Sequence, residues 1–443
     1  MRFSGLFSRR ISLWVLPLMG AIFLIVVNRP LGIGVAHDSL FYISMAKHIA
    51  AGKGVYAYTA NVDTIAKPIT RFCPFYPFVL SFFFFLGCGI KFSVATLNAV
   101  LLAANIYLMS LLVFRFTKSY PAACLTGLIF LLDPLWQSMH SYILTEPLFI
   151  FVVNMTLLFL WKYLETKKQK DFILAAVFCG IVSLTRYTGI SYAISGALCL
   201  FLLMEAPFRE RAAKAFWFGL FSSLPLLVWF ARNIIKTYRP NVPWARLAVA
   251  DLAEPEGGVP RTWWDYTLEA CDKTMQWLSQ YFSYSLRVEP VYILGLFLFG
   301  LGFAIFYYQK NISFLRKEPS HQLPYLLILH GAFYLFFLIS YLCLAEQTMP
   351  IDQRYMMIFY MYLVGLLVIG VHWQLRSLRQ VVANRTVRGF FYVLCAFAFI
   401  LWLGLSVNRT RLWAKETRIH GADNTNGLAW LYVNSRHWFS YRK

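Results

Sequence analysis

Acidic residues are scarce in this chain, and charged residues of either sign are few. Only 20 of the 443 residues are Asp or Glu, against 41 Lys and Arg, and charged residues together make up 14%. A soluble domain carries about 25% charged residues, so this composition excludes an ordinary soluble protein. Hydrophobic residues make up 59%, and apolar stretches of roughly 20 residues, the length of a helical membrane span, recur along the chain. The sequence predicts an all-α, multi-pass integral membrane protein.

Cysteine motifs are also lacking. The eight cysteines are scattered, with no CxxC pair and no zinc-ligand spacing. No cofactor is therefore predicted, and a divalent metal, which His and acidic residues could in principle bind, has no support from ligand spacing. Cys73 and Cys271 both fall in predicted outer loops, so a disulfide between them is kept as an open alternative.

The excess of basic residues sets the predicted topology. A net charge of +21 would suit a nucleic-acid partner in a soluble protein, but here Lys and Arg flank apolar segments, as on the cytoplasmic side of membrane helices. The basic loops share one side if the chain crosses eleven times, with a cytoplasmic N-terminus and an outer C-terminus. We therefore predict about eleven spans, within a range of roughly 10 to 13. Segment 74–89 would then not cross, but would form a membrane-associated or re-entrant helix. The predicted spans lie near residues 11–28, 94–114, 120–138, 147–161, 171–187, 188–204, 215–231, 290–308, 324–345, 355–373 and 389–407.

This topology predicts one transmembrane domain, residues 1–407, and no separate soluble domain. It includes a first outer loop at 29–93 and a long outer loop at 232–289, and a short outer tail follows at 408–443. The long loop is rich in aromatic and charged residues. We expect it to lie over the outer face as interfacial helices, although each of its tryptophans would also fit an aromatic belt.

One carboxylate follows the first apolar segment. Asp38 opens a stretch with apolar residues at helical spacing as far as Ile49, and Gly52 and Gly54 then end it. The pattern predicts a short helix in the membrane interface. Asp38 stands where an enzyme acting on a lipid-linked substrate would place a general base, or it caps this helix.

Further charged residues lie on the same predicted outer side. Glu146 opens a span beside Pro147, where a carboxylate near hydrocarbon is costly and indicates function, although it would also complement the helix N-terminus. Arg186 and Arg354 stand at outer ends of spans, where they could hold a phosphate or simply extend to the interface. The other cations predicted to face a phosphate are Lys67 and Arg71.

Taken together, these motifs resemble the GT-C superfamily of membrane glycosyltransferases, in particular its protein O-mannosyltransferase and aminoarabinose-transferase branch. The resemblance covers about residues 10–375. This sequence departs from many relatives in two ways. Its first motif has a single acidic residue, and only about 35 residues follow Val407. The matching features are Asp38 and Tyr42 before Gly52 and Gly54, the turn Pro74-Phe75-Tyr76-Pro77, Glu146 at a loop–helix junction, and the pairs Arg186-Tyr187 and Arg354-Tyr355.

The resemblance implies a GT-C-like fold and a hexosyl- or pentosyltransferase. Its donor would be a polyprenyl-phosphate-linked sugar, and its acceptor a hydroxyl of a lipid, glycan or protein. Transfer would invert the anomeric centre, with Asp38 as general base and Glu146 as the second catalytic residue. The residues that would bind substrate are Tyr42, Lys67, Arg71, Tyr76, Arg186, Tyr187, Arg354 and Tyr355.

Two other functions stay open on the sequence alone. An O-antigen ligase or polymerase would also use a lipid-linked sugar but would depend on the long outer loop, which keeps that alternative alive. A transporter or flippase of a lipid-linked sugar would show internal repeats and charged or broken helices near the bilayer midplane, and neither pattern is clear. The compact length favours a bacterial inner membrane, with the active site on the periplasmic side.

Overall fold

Helices form nearly all of the structure. A computed structural model describes residues 3–30, 32–58, 66–237, 262–282, 321–344, 353–381 and 385–420. Apart from one antiparallel pair of two-residue strands, β1 (Tyr56–Ala57) and β2 (Lys67–Pro68), and a 3₁₀ turn at Tyr187–Gly189, the regular elements there are α-helices. The helices are α1 (Phe3–Asn28), α2 (His37–Ala50), α3 (Phe75–Phe85), α4 (Ile90–Thr117), α5 (Tyr120–Leu131), α6 (Pro134–His140), α7 (Glu146–Thr166), α8 (Gln169–Thr185), α9 (Ile190–Leu203), α10 (Phe208–Thr237), α11 (Trp263–Phe282), α12 (Leu323–Leu344), α13 (Gln353–Val381) and α14 (Arg385–His420).

Several helices can cross a bilayer, as the composition predicts. Within the described ranges five are long and apolar enough, and the bent pair α5–α6 makes a sixth candidate. The chain is therefore an integral membrane protein. The predicted count of about eleven spans and the orientation of the termini stay predictions, and segment 290–308 lies outside the described residues. The five helices contain Ile90–Thr117, Glu146–Thr166, Phe208–Lys236, Leu323–Cys343 and Arg354–Trp373.

The segment predicted not to cross, 74–89, contains the short helix α3. Its 11 residues measure about 17 Å, little more than half of the ~30 Å hydrocarbon core. Phe78, Phe82 and Phe85 are 61%, 61% and 74% exposed, as expected for a face in contact with lipid. This geometry favours a membrane-associated helix over a full span.

The predicted span 120–138 is broken into two helices. Pro134 has no backbone N–H and its ring clashes with the preceding turn, so the helix cannot continue through it. The Asp133 carboxylate instead caps α6 by accepting from the N–H groups of Leu135 at 2.8 Å and Trp136 at 3.3 Å. The axes of α5 and α6 differ by 65°, and the chain turns toward the start of α7.

The core lies around α7. In the most apolar 18-residue stretch of α7, 78% is buried inside the protein, whereas the corresponding share for α10 is 28%. Phe149 and Trp161 on α7 and Trp136 on α6 are among the largest fully buried side chains. Helix α7 therefore lies inside the bundle, and its first residue, Glu146, is buried, whereas α10 leaves much of its apolar surface exposed.

Buried amides on α4 fix the turn that precedes α7. Asn98 Nδ2 donates to the carbonyl oxygens of His140 and Tyr142, both at 2.8 Å. Asn105 Nδ2 donates to the Pro147 carbonyl at 3.0 Å. Gly34 forms a parallel bridge with Tyr142, which places the beginning of α2 beside the beginning of α7.

We predict that Asn98→Ala lowers the stability of the protein measurably. A buried carbonyl, that of His140, and a partly buried one, that of Tyr142, lose this donor, and an unsatisfied buried polar group costs about 1–3 kcal/mol. The measurement is thermal unfolding in detergent. The matched control is Ser93→Ala on the same helix, because Ser93 is equally buried but its hydroxyl only donates to the local Gly89 carbonyl. An equal melting temperature for Asn98→Ala and the control would contradict this account of the turn.

Candidate functional site

Two carboxylate–arginine pairs meet at one end of the helix bundle. Glu146, the first residue of α7, lies 2.6 Å from Arg186 (Oε1 to Nη1). Asp38, in the first turn of α2, lies 3.3 Å from Arg354 (Oδ2 to Nη1) in the first turn of α13. The fold thus gathers four charged residues from distant parts of the chain. We call these four residues the two-pair cluster.

Tyr355 joins the two pairs. Its ring centroid lies 5.3 Å from the guanidinium carbon of Arg186 and 4.9 Å from that of Arg354, so both cations interact with one aromatic ring. Arg354 Nη2 also donates to the Tyr355 hydroxyl at 3.0 Å. Tyr334 on α12 donates to the Tyr355 carbonyl at 2.7 Å. Two arginines are therefore held close together, with one carboxylate for each.

The Glu146–Arg186 pair is buried. Glu146 is 1% exposed, and Thr145 lies between the partners: its hydroxyl accepts from Arg186 Nη1 at 3.0 Å and donates to Glu146 Oε2 at 3.3 Å. Glu146 does occupy a helix N-terminus, where negative charge is favourable. Its close contact with Arg186 shows that it is also the counter-charge of a buried cation, and its catalytic role stays a prediction.

The backbone after α8 aims Arg186 at this partner. The helix ends at Thr185, and Arg186 is extended, with φ −150° and ψ 142°. The next residues form the 3₁₀ turn, whose last residue packs tightly on the preceding helix. A Cβ atom at Gly189 would lie 2.5 Å from the Val182 carbonyl oxygen, so only glycine fits there.

Asp38 is not the cap of α2. The N-cap position is held by Ala36, and Ser39 supplies the side-chain contacts instead. Its hydroxyl accepts from the Ala36 N–H at 2.9 Å and donates to the Ile143 carbonyl at 2.8 Å. The Asp38 carboxylate is thereby left to approach Arg354. Its side chain is 23% exposed, so an incoming substrate can reach it.

Two tyrosines line the same region. Tyr42, one turn after Asp38, packs edge-on against Tyr76 with ring centroids 5.4 Å apart. Burial, together with the nearby carboxylates of Asp38 and Glu146, raises the pKa of Tyr42 well above its ordinary value, although the two arginines oppose this shift. Tyr42 therefore stays protonated and can act as a hydrogen-bond donor. The Tyr76 hydroxyl is buried and has no hydrogen-bond partner within the described part of the chain.

Three predicted substrate-binding residues lie outside the two-pair cluster: Lys67 and Arg71 on the first outer loop, and Tyr187, which contacts that loop. Tyr187 donates its hydroxyl hydrogen to the Thr70 carbonyl and accepts from Trp229 Nε1 at 3.1 Å, so it ties the first outer loop to α10. Lys67, in β2, and Arg71 have exposed side chains. The predicted residues that the fold brings together are Asp38, Tyr42, Tyr76, Glu146, Arg186, Arg354 and Tyr355.

Arg232 is a positioning residue that the sequence interpretation missed. From near the C-terminal end of α10, its Nη1 donates to the Ile69 carbonyl at 2.8 Å and its Nη2 to the Val55 carbonyl at 2.9 Å. Its guanidinium also stacks over Trp229, 4.6 Å from the ring centroid. Arg232 thus fastens both flanks of the β1–β2 pair. The only signal in the sequence is a Trp three residues before an Arg at the end of a span.

The cysteines of the open disulfide alternative are both free. Cys73 is buried, and its thiol donates to the Ser183 carbonyl at 3.5 Å, whereas Cys271 is partly buried on α11. Burial raises the pKa of the Cys73 thiol above its ordinary value, which disfavours the reactive thiolate. Among the described residues, no group of three or more His, Cys, Asp or Glu side chains could hold a metal ion.

Comparisons with known proteins bear on the fold. Residues 80–237 match the family model described as dolichyl-phosphate-mannose-protein mannosyltransferase. The structure is similar to that of ArnT from Cupriavidus metallidurans in the apo state, with a TM-score of 0.51 and 12% identity over 97% of this chain and 78% of ArnT. The archaeal oligosaccharyltransferase AglB from Archaeoglobus fulgidus aligns with a TM-score of 0.48 and 15% identity over 98% of this chain and 59% of AglB. No curated protein matches the chain significantly in sequence.

The partial match to the mannosyltransferase family model and the similarity to the ArnT fold agree with the resemblance that the motifs indicated. The family match covers α4 to α10 and half of α3, and so includes Glu146 and Arg186 but neither Asp38 nor Arg354. The ArnT similarity supports the fold over almost the whole chain. The roles of the individual residues remain proposals.

We predict that Arg232→Gln loosens the first outer loop without unfolding the bundle. Two hydrogen bonds from a charged donor to loop carbonyls are lost, so amide hydrogen exchange across residues 55–58 and 66–71 should accelerate about fivefold or more. The control is Lys236→Gln, an exposed cation one turn farther along α10, which should leave exchange unchanged. Unaltered exchange in Arg232→Gln would show that the loop is held by other contacts.

Proposed function

We propose that the protein is a membrane glycosyltransferase that moves a sugar from a polyprenyl-phosphate donor to an acceptor hydroxyl. The observation that carries this proposal is the two-pair cluster, in which two arginines stand beside an accessible carboxylate at one end of a bundle of membrane helices. The matched family model is named for a donor of this kind, dolichyl-phosphate mannose. The lipid tail of such a donor would lie in the bilayer, and its phosphate at the interface.

Arg354 and Arg186 would bind the donor phosphate. A guanidinium presents parallel N–H groups that match phosphate oxygens, and charge-assisted hydrogen bonds of this type are strong. Arg354 is the more accessible of the two arginines, with its side chain 21% exposed against 16% for Arg186. A phosphate arriving at Arg354 would compete with the Asp38 carboxylate. Donor binding would therefore release Asp38 from its ion pair.

The released Asp38 carboxylate would act as the general base. It accepts the proton of the acceptor hydroxyl while the acceptor oxygen bonds to the anomeric carbon of the sugar. The bond between that carbon and the phosphate oxygen breaks, and the lipid phosphate leaves with its negative charge stabilised by the arginines. A single displacement of this kind inverts the anomeric centre, as in other inverting reactions of sugars.

Glu146 would act through Arg186 and share in the charge of the site. Because it is buried and paired, it holds the Arg186 guanidinium in place while the phosphate binds on the other side. Tyr42 and Tyr76 would offer hydroxyl groups to the sugar or phosphate. Lys67 and Arg71 would attract the anionic donor toward the loop.

The site would lie on the outer face, which in a bacterial inner membrane is the periplasmic side. Basic loops near Lys118 and Lys167 occupy the other ends of α4 and α7, as the positive-inside rule requires for a cytoplasmic face. The ligase or polymerase alternative depends on the long outer loop, and residues 238–261 and 283–289 of that loop lie outside the described residues.

We predict that Asp38→Asn abolishes sugar transfer while donor binding is retained. Loss of a general base lowers the rate by about 10²–10⁴-fold, whereas the arginines that hold the phosphate remain. The measurement is transfer from a labelled polyprenyl-phosphate sugar in nanodiscs, with donor binding measured separately. The control is Glu165→Gln, because Glu165 forms an ion pair with Arg115 at the other end of the bundle. Full activity of Asp38→Asn would refute its role as base.

We predict that Arg354→Gln raises the KM for the donor but not for the acceptor. A hydrogen bond to a charged group contributes about 1.5–3 kcal/mol, so the donor KM should rise roughly 10- to 150-fold. Steady-state kinetics with each substrate varied in turn separate the two constants. Arg115→Gln, which breaks the ion pair at the opposite end, is the control and should behave as wild type. An equal rise in both constants would mean that Arg354 has a general structural role.

A further inference from the structure

A cavity lies apart from the two-pair cluster. It opens between the end of α4, the start of α5 and the later half of α13, and its volume is about 770 Å³. Ligand-binding pockets usually measure about 300–1,000 Å³, so this space is large enough for a substantial ligand. The proposed glycosyl transfer assigns no role to it.

The cavity lies about one bilayer thickness away from the two-pair cluster. Arg354 of the two-pair cluster and His372 of the cavity wall both belong to α13. Their separation of 18 positions along this helix corresponds to about 27 Å at 1.5 Å per residue, close to the ~30 Å thickness of the hydrocarbon core. A ligand in the cavity would therefore reach the bilayer surface that lies away from the proposed donor site.

Two cations, Lys118 and Arg376, and the imidazole of His372 border the cavity. His372 and Arg376 stand one turn apart on α13 and so lie on the same face of the helix. Lys118 follows α4 in a left-handed conformation, with φ 55°. Within the described residues none of the three forms an ion pair. Neighbouring cations are neutralised, since Arg115 pairs with Glu165 at 2.7 Å and Lys162 with Asp171 at 3.6 Å.

The rest of the wall is largely apolar. Leu125 on α5 and Val371 and Leu375 on α13 line it, and Val371 is 39% exposed. Within the part of the chain that the structure describes, positive charge without an ion-pair partner thus stands beside apolar side chains. A small inorganic anion would use only the charged part, whereas a phospholipid with a negative head group would use both parts.

We infer that this cavity binds an anionic phospholipid. Its phosphate lies among Lys118, His372 and Arg376, and one acyl chain lies along Leu125 and Val371. Basic pockets between membrane helices are a recognised form of lipid head-group site, and here Lys118 and Arg376 supply the positive charge of the cavity wall.

The test measures binding of phosphatidylglycerol and of phosphatidylcholine to the purified full-length protein by native mass spectrometry. The wild type should bind phosphatidylglycerol more tightly. The double variant Lys118→Gln/Arg376→Gln should lose about tenfold or more of that affinity and leave phosphatidylcholine binding unchanged. Val371→Trp, which fills the cavity without changing its charge, should weaken phosphatidylglycerol binding as well.

The control variant is Lys170→Gln/Arg209→Gln, which removes two exposed cations outside the cavity wall. An equal loss of affinity in this control would show a general effect of surface charge and overturn the proposal. Unchanged binding in the cavity double variant would also overturn it. Displacement of the lipid by millimolar inorganic phosphate, together with unchanged binding in Val371→Trp, would show a simple anion site instead.

Discussion

The buried ion pair between Glu146 and Arg186 is the constraint on which the site depends. A carboxylate that is 1% exposed at the start of a membrane helix is stable only with a close counter-charge, and removing one partner of such a pair typically costs about 3–5 kcal/mol. The pair therefore locks the beginning of α7 to the end of α8. Thr145 adds hydrogen bonds to both partners. Tyr355 and Arg354 are then positioned against a fixed cation.

The second pair, Asp38 with Arg354, has a different character. It is longer and more exposed than the first pair, and it stands on a loop helix that other contacts hold in place. Asn98 and the bridge at Gly34 fix the chain around it from the inside, and Arg232 fastens the same loop from α10. The first pair is thus a buried fixture of the bundle, whereas the second is partly exposed. In the proposed function, this exposure lets the donor phosphate reach Arg354.

Sequence patterns predicted the helices well but could not predict the pairing of the charged residues. Apolar periodicity is local, so α4, α7 and α13 follow from it directly, whereas the break at Pro134 required the Asp133 cap to be recognised. Asp38 and Arg354 are 316 positions apart, and nothing local indicates which carboxylate meets which arginine. The side-chain hydrogen bonds at the start of α2 come from Ser39 instead of Asp38, and one of them reaches the Ile143 carbonyl, which is 104 positions away. Arg232 was missed because basic residues commonly end membrane spans.

The central claim is that donor phosphate replaces Asp38 as the partner of Arg354. The most direct measurement is a cryo-EM structure of the Asp38→Asn variant with a polyprenyl-phosphate sugar bound, since this variant should hold the donor without consuming it. The account predicts the phosphate in contact with Arg354 and Arg186, with the substituted side chain at position 38 turned away from Arg354 toward the acceptor space. A donor phosphate bound elsewhere, with Arg354 still facing position 38, would contradict the account.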